Sequence, residues 1–407
     1  MNWSGQQVTA LDMVGRWLKN GDAPVFRLFG HAGTGKTTLA QHLASGAGNV
    51  MFAAFTGKAA SVMRNKGCPQ ATTIHSLIYN PADRSRAKLL QLQTELTQLA
   101  NDLLQAGEMD EQHPDIVKLK IEIRAEEERL KKPSFTLNPD SDIKRADLVV
   151  IDECTMVNER MGNDLLSFEV PILVLGDPAQ LPPVMGGGFF TEQRPDVLLT
   201  EVHRQAAGNP IIELATKVRK GEKLAAGQYG ESLVVDGKPP RDRVMAADQI
   251  ITGLNTTRKG CNYQMRKLLG RDADPLPVAH DRLVCLRNDH DEGLLNGTIW
   301  NVVDAEAVPG MELMSLTVEN DEGHSVTVSA HTHYFKGIED DLAYYQIKEA
   351  QCFDFGWAIT CHKAQGSQWG DVFIFDESWA FRQRNAGKRW LYTAITRAAE
   401  QVTICRK

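Results

Sequence analysis

The sequence predicts an α/β fold: two doubly wound parallel-sheet domains, with a helical hairpin inserted in the first and a small β-barrel inserted in the second. Three observations predict it. Apolar runs of strand length recur in two groups, with helical patterns between them. One long polar stretch carries leucines at alternating spacings of three and four. Another stretch breaks into short strand-like runs separated by turn residues.

In the first group, VFRLF (25–29), VMFAAF (50–55), DLVVID (147–152) and PILVLG (171–176) are nearly continuous in apolar residues. Strands buried on both faces of a parallel sheet have that composition. QIITGLN (249–255), GWAIT (356–360), DVFIFD (371–376) and QVTIC (401–405) form the second group. Trp17 and Phe29 read as core. Residues 83–132 read as two antiparallel helices with a turn near Pro114. Leu89, Leu92, Leu96, Leu99 and Leu103 set the spacing, and Ile116, Leu119, Ile123 and Leu130 continue it. Glu126 stands where an apolar residue belongs. IYNP (78–81) and PSFTLNP (133–139) read as extended, so the hairpin projects from the first domain. Within 278–335, RLVCLRN, GTIWNVV, MELMSLTV and HSVTVSA alternate with the turn segments DEGLLNG, PG and DEG, the pattern of a small barrel. The boundaries are 1–78 and 136–205 for the first domain, 79–135 for the hairpin, 206–277 and 336–407 for the second domain, and 278–335 for the barrel.

Composition narrows the function classes. Hydrophobic residues make up 42% of the 407 and charged residues 24%, which excludes global disorder. With 45 Lys and Arg against 52 Asp and Glu, the net charge is −7. That excludes a chain that holds nucleic acid or an anionic membrane by bulk positive charge, but not one with a local basic channel. No apolar run approaches the ~18 residues of a membrane span. The opening MNWSGQQVTALDMVG has neither the basic nor the apolar region of a secretory signal. Seven cysteines, odd in number and without a C-x-x-C pair, argue against a disulfide framework or a zinc ribbon. The expected setting is cytoplasmic and reducing, without a membrane partner.

Gly30-His-Ala-Gly-Thr-Gly-Lys36-Thr37 matches G-x-x-x-x-G-K-[ST] between a strand-like run and a helix-like one. The glycines let backbone N–H groups curl around phosphate oxygens. Gly33, Thr34, Gly35, Lys36, Thr37 and Thr38 are therefore expected to bind nucleotide, with Lys36 on the β- and γ-phosphates and Thr37 on Mg²⁺. VVIDE (149–153) delivers Asp152 and Glu153 to the carboxyl edge of the same sheet. Asp152 is the second Mg²⁺ candidate, and Glu153 the group that polarises an attacking water. Taken alone, the two acids would read equally well as a solvated strand end. LGDPAQLPPV (175–184) places Asp177 and Gln180 on the next exit loop, where an amide can sense a γ-phosphate. The reaction class is nucleoside triphosphate hydrolysis, with ATP and Mg²⁺ as cofactors.

GHAGTGKTT, TGKAA, TTIH, VVIDE, GDPAQLPP, EVHRQ, CHKAQGSQW and YTAITRA occur in the order seen in superfamily 1 helicases, and the chain resembles their RecD/Dda-like branch over roughly 5–407, the helical insertion apart. The resemblance implies two RecA-like domains with ATP hydrolysed between them, and translocation 5′→3′ along single-stranded DNA. It also implies that Arg204 and Arg397 are arginine fingers and that Gln7 reads adenine. Gln6 competes for that role, and a solvated Gln is an equal alternative. By the same likeness Gln365 and Gly366 serve the nucleotide cleft. The strand contacts are Thr56, Lys58 and His75 from the first domain and Thr360, His362 and Lys363 from the second. Such hydroxyls, imidazoles and backbone N–H groups hold phosphates without a large net charge. Thr56 and Lys58 read equally well as a capping hydroxyl and a surface lysine.

Phe189, Phe190, Tyr334, Phe335 and Trp369 are candidates for stacking on bases, with a core role favoured for most. His331, His333 and Asp340 have no specific metal spacing and read as solvated surface. The hairpin is either a wedge for duplex or a solvated or partner-binding arm. The expected partners are single-stranded and forked duplex DNA, with a single-strand-binding or replication protein in addition, and the chain is expected to be a monomer. Three functions remain: a DNA helicase, a DNA-stimulated translocase that remodels protein–DNA complexes without separating strands, and an inactive nucleotide-switched scaffold. Lys36, Glu153, Gln180, Arg204 and Arg397 together argue against the last.

Overall fold

The computed structural model describes residues 3–81, 87–106, 112–131, 135–182, 188–201, 208–289, 291–342, 347, 349–381 and 385–406. Two six-stranded sheets organise the chain. Across the first run Thr72–Thr73, Val50–Ala54, Leu148–Asp152, Ile172–Gly176, Val25–Gly30 and Val197–Leu199, all parallel. Across the second run Ala358–Thr360, Gln249–Thr252, Trp369–Asp376, Ala398–Arg406, Ser232–Asp236 and Gly227–Tyr229, with only the last pairing antiparallel.

Alternation across the pleat explains why the apolar runs are unbroken. Leu148, Val150, Leu173 and Leu175 feed the core on one face of the first sheet, with Ala10, Val14 and Leu39. Val149, Ile151, Ile172 and Val174 feed the other, with Ile74, Met161 and Leu165. All eight anticipated runs are strands. Four strands of these sheets escape notice: Thr72–Thr73, Val197–Leu199 and Gly227–Tyr229 because two or three residues carry no period, and Ser232–Asp236 although its Leu-Val-Val run is of strand length.

Register aligns the functional ends. Ala54 pairs with Asp152, Ile151 with Val174, and Phe29 with Gly176. The phosphate loop, the acidic pair and the segment from Asp177 therefore leave one edge of the sheet together.

The insertions are rooted on short strands. Tyr79–Pro81 pairs antiparallel with Phe135–Leu137, and between them run the helices Ala87–Ala106 and Pro114–Lys131. Leu89, Leu92, Leu103 and Ile116 are buried between them. Glu126 is buried too: Arg129 donates to its carboxylate from the same helix, and Lys88 approaches from the other at 4.0 Å. An acid is thus tolerated on an apolar seam because cations neutralise it from both sides.

The second insertion is a five-stranded antiparallel sheet, ordered Ser325–His331, Leu313–Glu319, Ile299–Ala307, Arg282–Cys285 and Phe353–Phe355. The last strand lies beyond the expected boundary at 335. The short run FDF returns to Arg282–Cys285 after an excursion through Glu339–Asp341, a long-range pairing that local pattern does not reveal. Helix Asn255–Leu268 ties this sheet to the second lobe: Arg258 donates to Asp354 at 2.6 Å, and Arg266 to the buried Asp281 at 3.1 Å. Among the described residues no helix is long and apolar enough to cross a membrane.

Candidate nucleotide and strand-binding site

The phosphate loop turns between Val25–Gly30 and helix Lys36–Ala44. Gly33 and Gly35 hold φ at 78° and 77°, the left-handed region that glycine enters without steric cost. A Cβ at Gly35 would stand 2.9 Å from Gln7 Nε2. Gln7 is buried beneath the loop. Its Nε2 donates to Thr34 O at 3.1 Å, and its Oε1 accepts from Ser4 N at 2.9 Å in a capping box. Gln6 instead accepts from Thr200 N at 2.8 Å and Glu201 N at 3.1 Å. Both amides thus have backbone partners, and Gln7 is the one seated against the loop.

Lys36 Nζ donates to Gly30 O at 2.7 Å and His31 O at 3.2 Å, inside the loop it closes. Thr37 Oγ1 donates to Asp152 Oδ2 at 3.3 Å. One hydroxyl and one carboxylate suit Mg²⁺, which keeps waters and takes most other ligands from substrate phosphates. Thr38 lies on the same first helical turn. Glu153 follows at φ 53°, a strained conformation for a non-glycine residue of the kind found at functional sites. Burial pushes its carboxyl above the usual carboxylate range. The nearby Asp152 and Asp177 charges add to that, while Arg397 and Lys36 oppose it.

The second lobe reaches into this edge. The Arg397 guanidinium is buried within electrostatic range of Glu153 and is held by Thr393 O, Ser367 O and Thr396 Oγ1 at 3.1–3.2 Å. The first-lobe segment GDPAQLPP is gripped on both sides of Leu181. Leu181 N donates to Thr393 Oγ1 at 2.9 Å, and Gln365 Nε2 donates to Leu181 O at 3.0 Å. Next to that grip, Gln180 is buried with its Oε1 unpaired among the described residues. An unpaired buried acceptor fits a site that receives a hydrogen-bond donor such as water. Arg204 lies outside the described residues.

The strand candidates form two matching sets. Thr56 caps helix Gly57–Asn65, its Oγ1 accepting from Ala59 N at 3.1 Å. Thr360 caps helix Cys361–Ala364, accepting from Lys363 N at 3.4 Å. Each hydroxyl keeps its hydrogen for a further acceptor. Lys58 is half-buried and Lys363 exposed. His75 packs among Phe55, Tyr79 and Phe135 at ring distances of 6.1, 5.5 and 5.2 Å, and burial lowers its pKa. Burial does the same to His362, beside Phe381. Gly366, expected at the nucleotide, stands against the strand set: a Cβ there would lie 2.7 Å from Thr56 Oγ1, and its φ is 77°. Gly57 in turn packs under Leu295 of the second insertion.

A family model described as an AAA domain matches residues 6–236, more than half of the chain. The chain belongs to that family. A second model, a UvrD-like helicase C-terminal domain, matches residues 355–405 of this AAA-domain protein. An ATP-dependent RecD2 DNA helicase from Deinococcus radiodurans is 29% identical over 284 residues, which are 63% of this chain and 36% of the relative. The chain thus spans about a third of that relative's length. Among solved structures, two coordinating Pif1 helicases at forked dsDNA align at TM-score 0.54 and 18% identity, covering 99% of this chain and 92% of theirs. Bacteroides Pif1 bound to ssDNA aligns at 0.52 and 19% over the same shares. These structures share the two-lobed fold, and the two model matches and the RecD2 relative agree with the superfamily 1, RecD-like resemblance read from the motifs.

One expectation needs revision: His331 and His333 are buried, not solvated, whereas Asp340 is exposed as expected. The core role favoured for the aromatic candidates holds for Phe190 and Phe335, while Phe189, Tyr334 and Trp369 are half-buried. Sequence reasoning passed over His31, Arg219 and Tyr392 as site residues, although two of them lie inside quoted motifs. Nothing in spacing shows that they meet.

Proposed function

We propose that this chain is an ATP-dependent DNA helicase that translocates 5′→3′ on single-stranded DNA, hydrolysing ATP between its two RecA-like lobes. The observation that carries the reading is the second lobe's Arg397 standing within electrostatic range of the first lobe's Glu153. Hydrolysis between lobes then becomes sensitive to their separation. Gly33, Thr34, Gly35 and Lys36 cradle the phosphates, with Gln7 bracing the loop and set to read the base. Thr37 and Asp152 hold Mg²⁺, which when bound neutralises phosphate charge. Glu153 orients the attacking water and takes its proton, a task suited to a carboxyl whose proton affinity burial has raised. Gln180 spans water and γ-phosphate. Arg397, with Arg204, completes charge neutralisation on closure.

Thr56, Lys58 and His75 grip one stretch of strand, and Thr360, His362 and Lys363 the next. The Thr56–Gly366 contact lies between the two sets, so opening and closing of the cleft changes their spacing. The partners are single-stranded and forked DNA, with a single-strand-binding or replication protein at the fork. The motor works as a monomer, and seven free cysteines suit a reducing cytoplasm.

The test is ATPase activity with and without single-stranded DNA, for wild type and Lys36→Ala. Strong stimulation that Lys36→Ala abolishes supports the motor, and a rate indifferent to DNA refutes it. One observation favours translocation without strand separation: the first-lobe insertion is a helical hairpin, not a short strand pin. DNA-stimulated ATPase without unwinding of any forked duplex would establish that reading.

A further inference from the structure

Four side chains without a part in the chemistry above meet at the first turn of the phosphate loop. Two come from the first lobe, His31 of the loop and Asp177 of the neighbouring exit segment. Two come from different helices of the second lobe, Arg219 on Pro210–Lys220 and Tyr392 on Ala386–Ile395. His31 Nε2 lies 2.9 Å from Arg219 Nη1, and His31 Nδ1 lies 3.3 Å from Asp177 Oδ1. Tyr392 donates to Asp177 Oδ2 at 2.6 Å and accepts from Ala32 N at 3.0 Å. Ala179 N also donates to Asp177 Oδ1, at 3.0 Å.

The chemistry of the partners fixes the protons. A guanidinium has no acceptor, so His31 Nε2 must accept from Arg219. The neutral ring then carries its proton on Nδ1 and donates it to Asp177. Every donor in the chain has an acceptor, running from Arg219 through His31 to Asp177, and from Ala32 through Tyr392 to the same carboxylate. Asp177 and Tyr392 are only 1% and 2% exposed. Burial pushes the Asp177 carboxyl up, but the bonds from His31 and Tyr392 and the Lys36 charge outweigh it and keep the group ionised. Two consecutive loop residues, 31 and 32, are thereby tied to two second-lobe helices. The residue after Tyr392, Thr393, holds both Leu181 N and the guanidinium of Arg397.

We propose that Arg219 and Tyr392, with His31 and Asp177, form a positioning relay that fixes the phosphate loop against the second lobe and so sets the distance at which Arg397 and Gln180 meet the γ-phosphate. The relay touches no reacting atom, and it rests on the ATPase reading of the cleft. Its loss therefore slows turnover without weakening nucleotide binding.

The test uses the full chain and a thymidine oligonucleotide. Arg219→Ala, Tyr392→Phe and His31→Ala each lower the DNA-stimulated kcat about tenfold, with KM for ATP within about twofold. The double variant Arg219→Ala/His31→Ala is no slower than either single, because one broken link breaks the chain. His31→Gln, whose amide accepts through Oε1 and donates through Nε2, recovers most of the rate. Unchanged kcat, a loss confined to KM, multiplying losses, or a Gln variant as slow as the Ala variant would each overturn the relay. Small-angle scattering of the nucleotide-free protein gives a second reading independent of turnover. Arg219→Ala and Tyr392→Phe increase the radius of gyration, and an unchanged radius in both overturns the relay. A wild type without DNA-stimulated ATPase defeats the functional reading alone, and scattering then decides the relay.

Discussion

Glu153 combines three properties that local sequence does not display together: a left-handed backbone, partial burial, and a second-lobe cation nearby. Its raised pKa has two consequences. Activity requires the ionised form, so kcat falls on the acid side at a pH above the ~4.3 of an ordinary glutamate, which a pH–rate profile checks. Stability runs the opposite way. A group protonated more readily in the folded state contributes most below its unfolded pKa, and that contribution is lost as pH rises through the folded value. Glu153→Gln should therefore gain more in Tm at pH 8 than at pH 5, while losing turnover at both. Arg397→Ala should lower DNA-stimulated kcat by roughly 10³-fold, with a much smaller change in ATP KM, as steady-state kinetics would show. The motif containing Arg397 was legible from sequence; its three anchoring carbonyl and hydroxyl partners were not.

At the scale of elements, the helical hairpin stands apart from the two sheet-based lobes. Its helices pack on each other, and a two-stranded base joins them to the first lobe. Joining residues 81 and 135 through a short Gly-Ser linker should leave DNA-stimulated ATPase within about twofold and Tm within a few degrees, since few buried contacts are lost. Unwinding of forked duplex is the discriminating readout: a wedge loses it and an arm retains it. The leucine spacing made both helices legible, and it is broken at Glu126, where two cations substitute for apolar packing. The five-stranded insertion was legible strand by strand except for Phe353–Phe355, whose pairing spans some seventy residues of chain.

For the whole molecule, the decisive property is that one cleft is shared by two lobes. Both hold short capped helices after a parallel strand, Thr56 in one and Thr360 in the other, and Gly366 bridges them. A motor built this way should unwind forked duplex with a 5′ tail and fail on a 3′ tail, with ATP but not with a non-hydrolysable analogue. A strand-displacement assay reads this directly, and unwinding confined to 3′ tails would reverse the assigned polarity.

What the sequence determined by itself was local and periodic. Apolar runs specified the buried strands, glycine and lysine spacing specified the phosphate loop, and strand ends specified which edge carries Asp152, Glu153 and Gln180. These follow from backbone geometry over a few residues. Only the tertiary structure decided what meets across the cleft: Arg397 near Glu153, Thr393 and Gln365 on either side of Leu181, and Arg219 and Tyr392 on a phosphate loop far from them in the chain. Such contacts arise from packing two separately folded sheets against one another, and sequence spacing carries no record of that geometry.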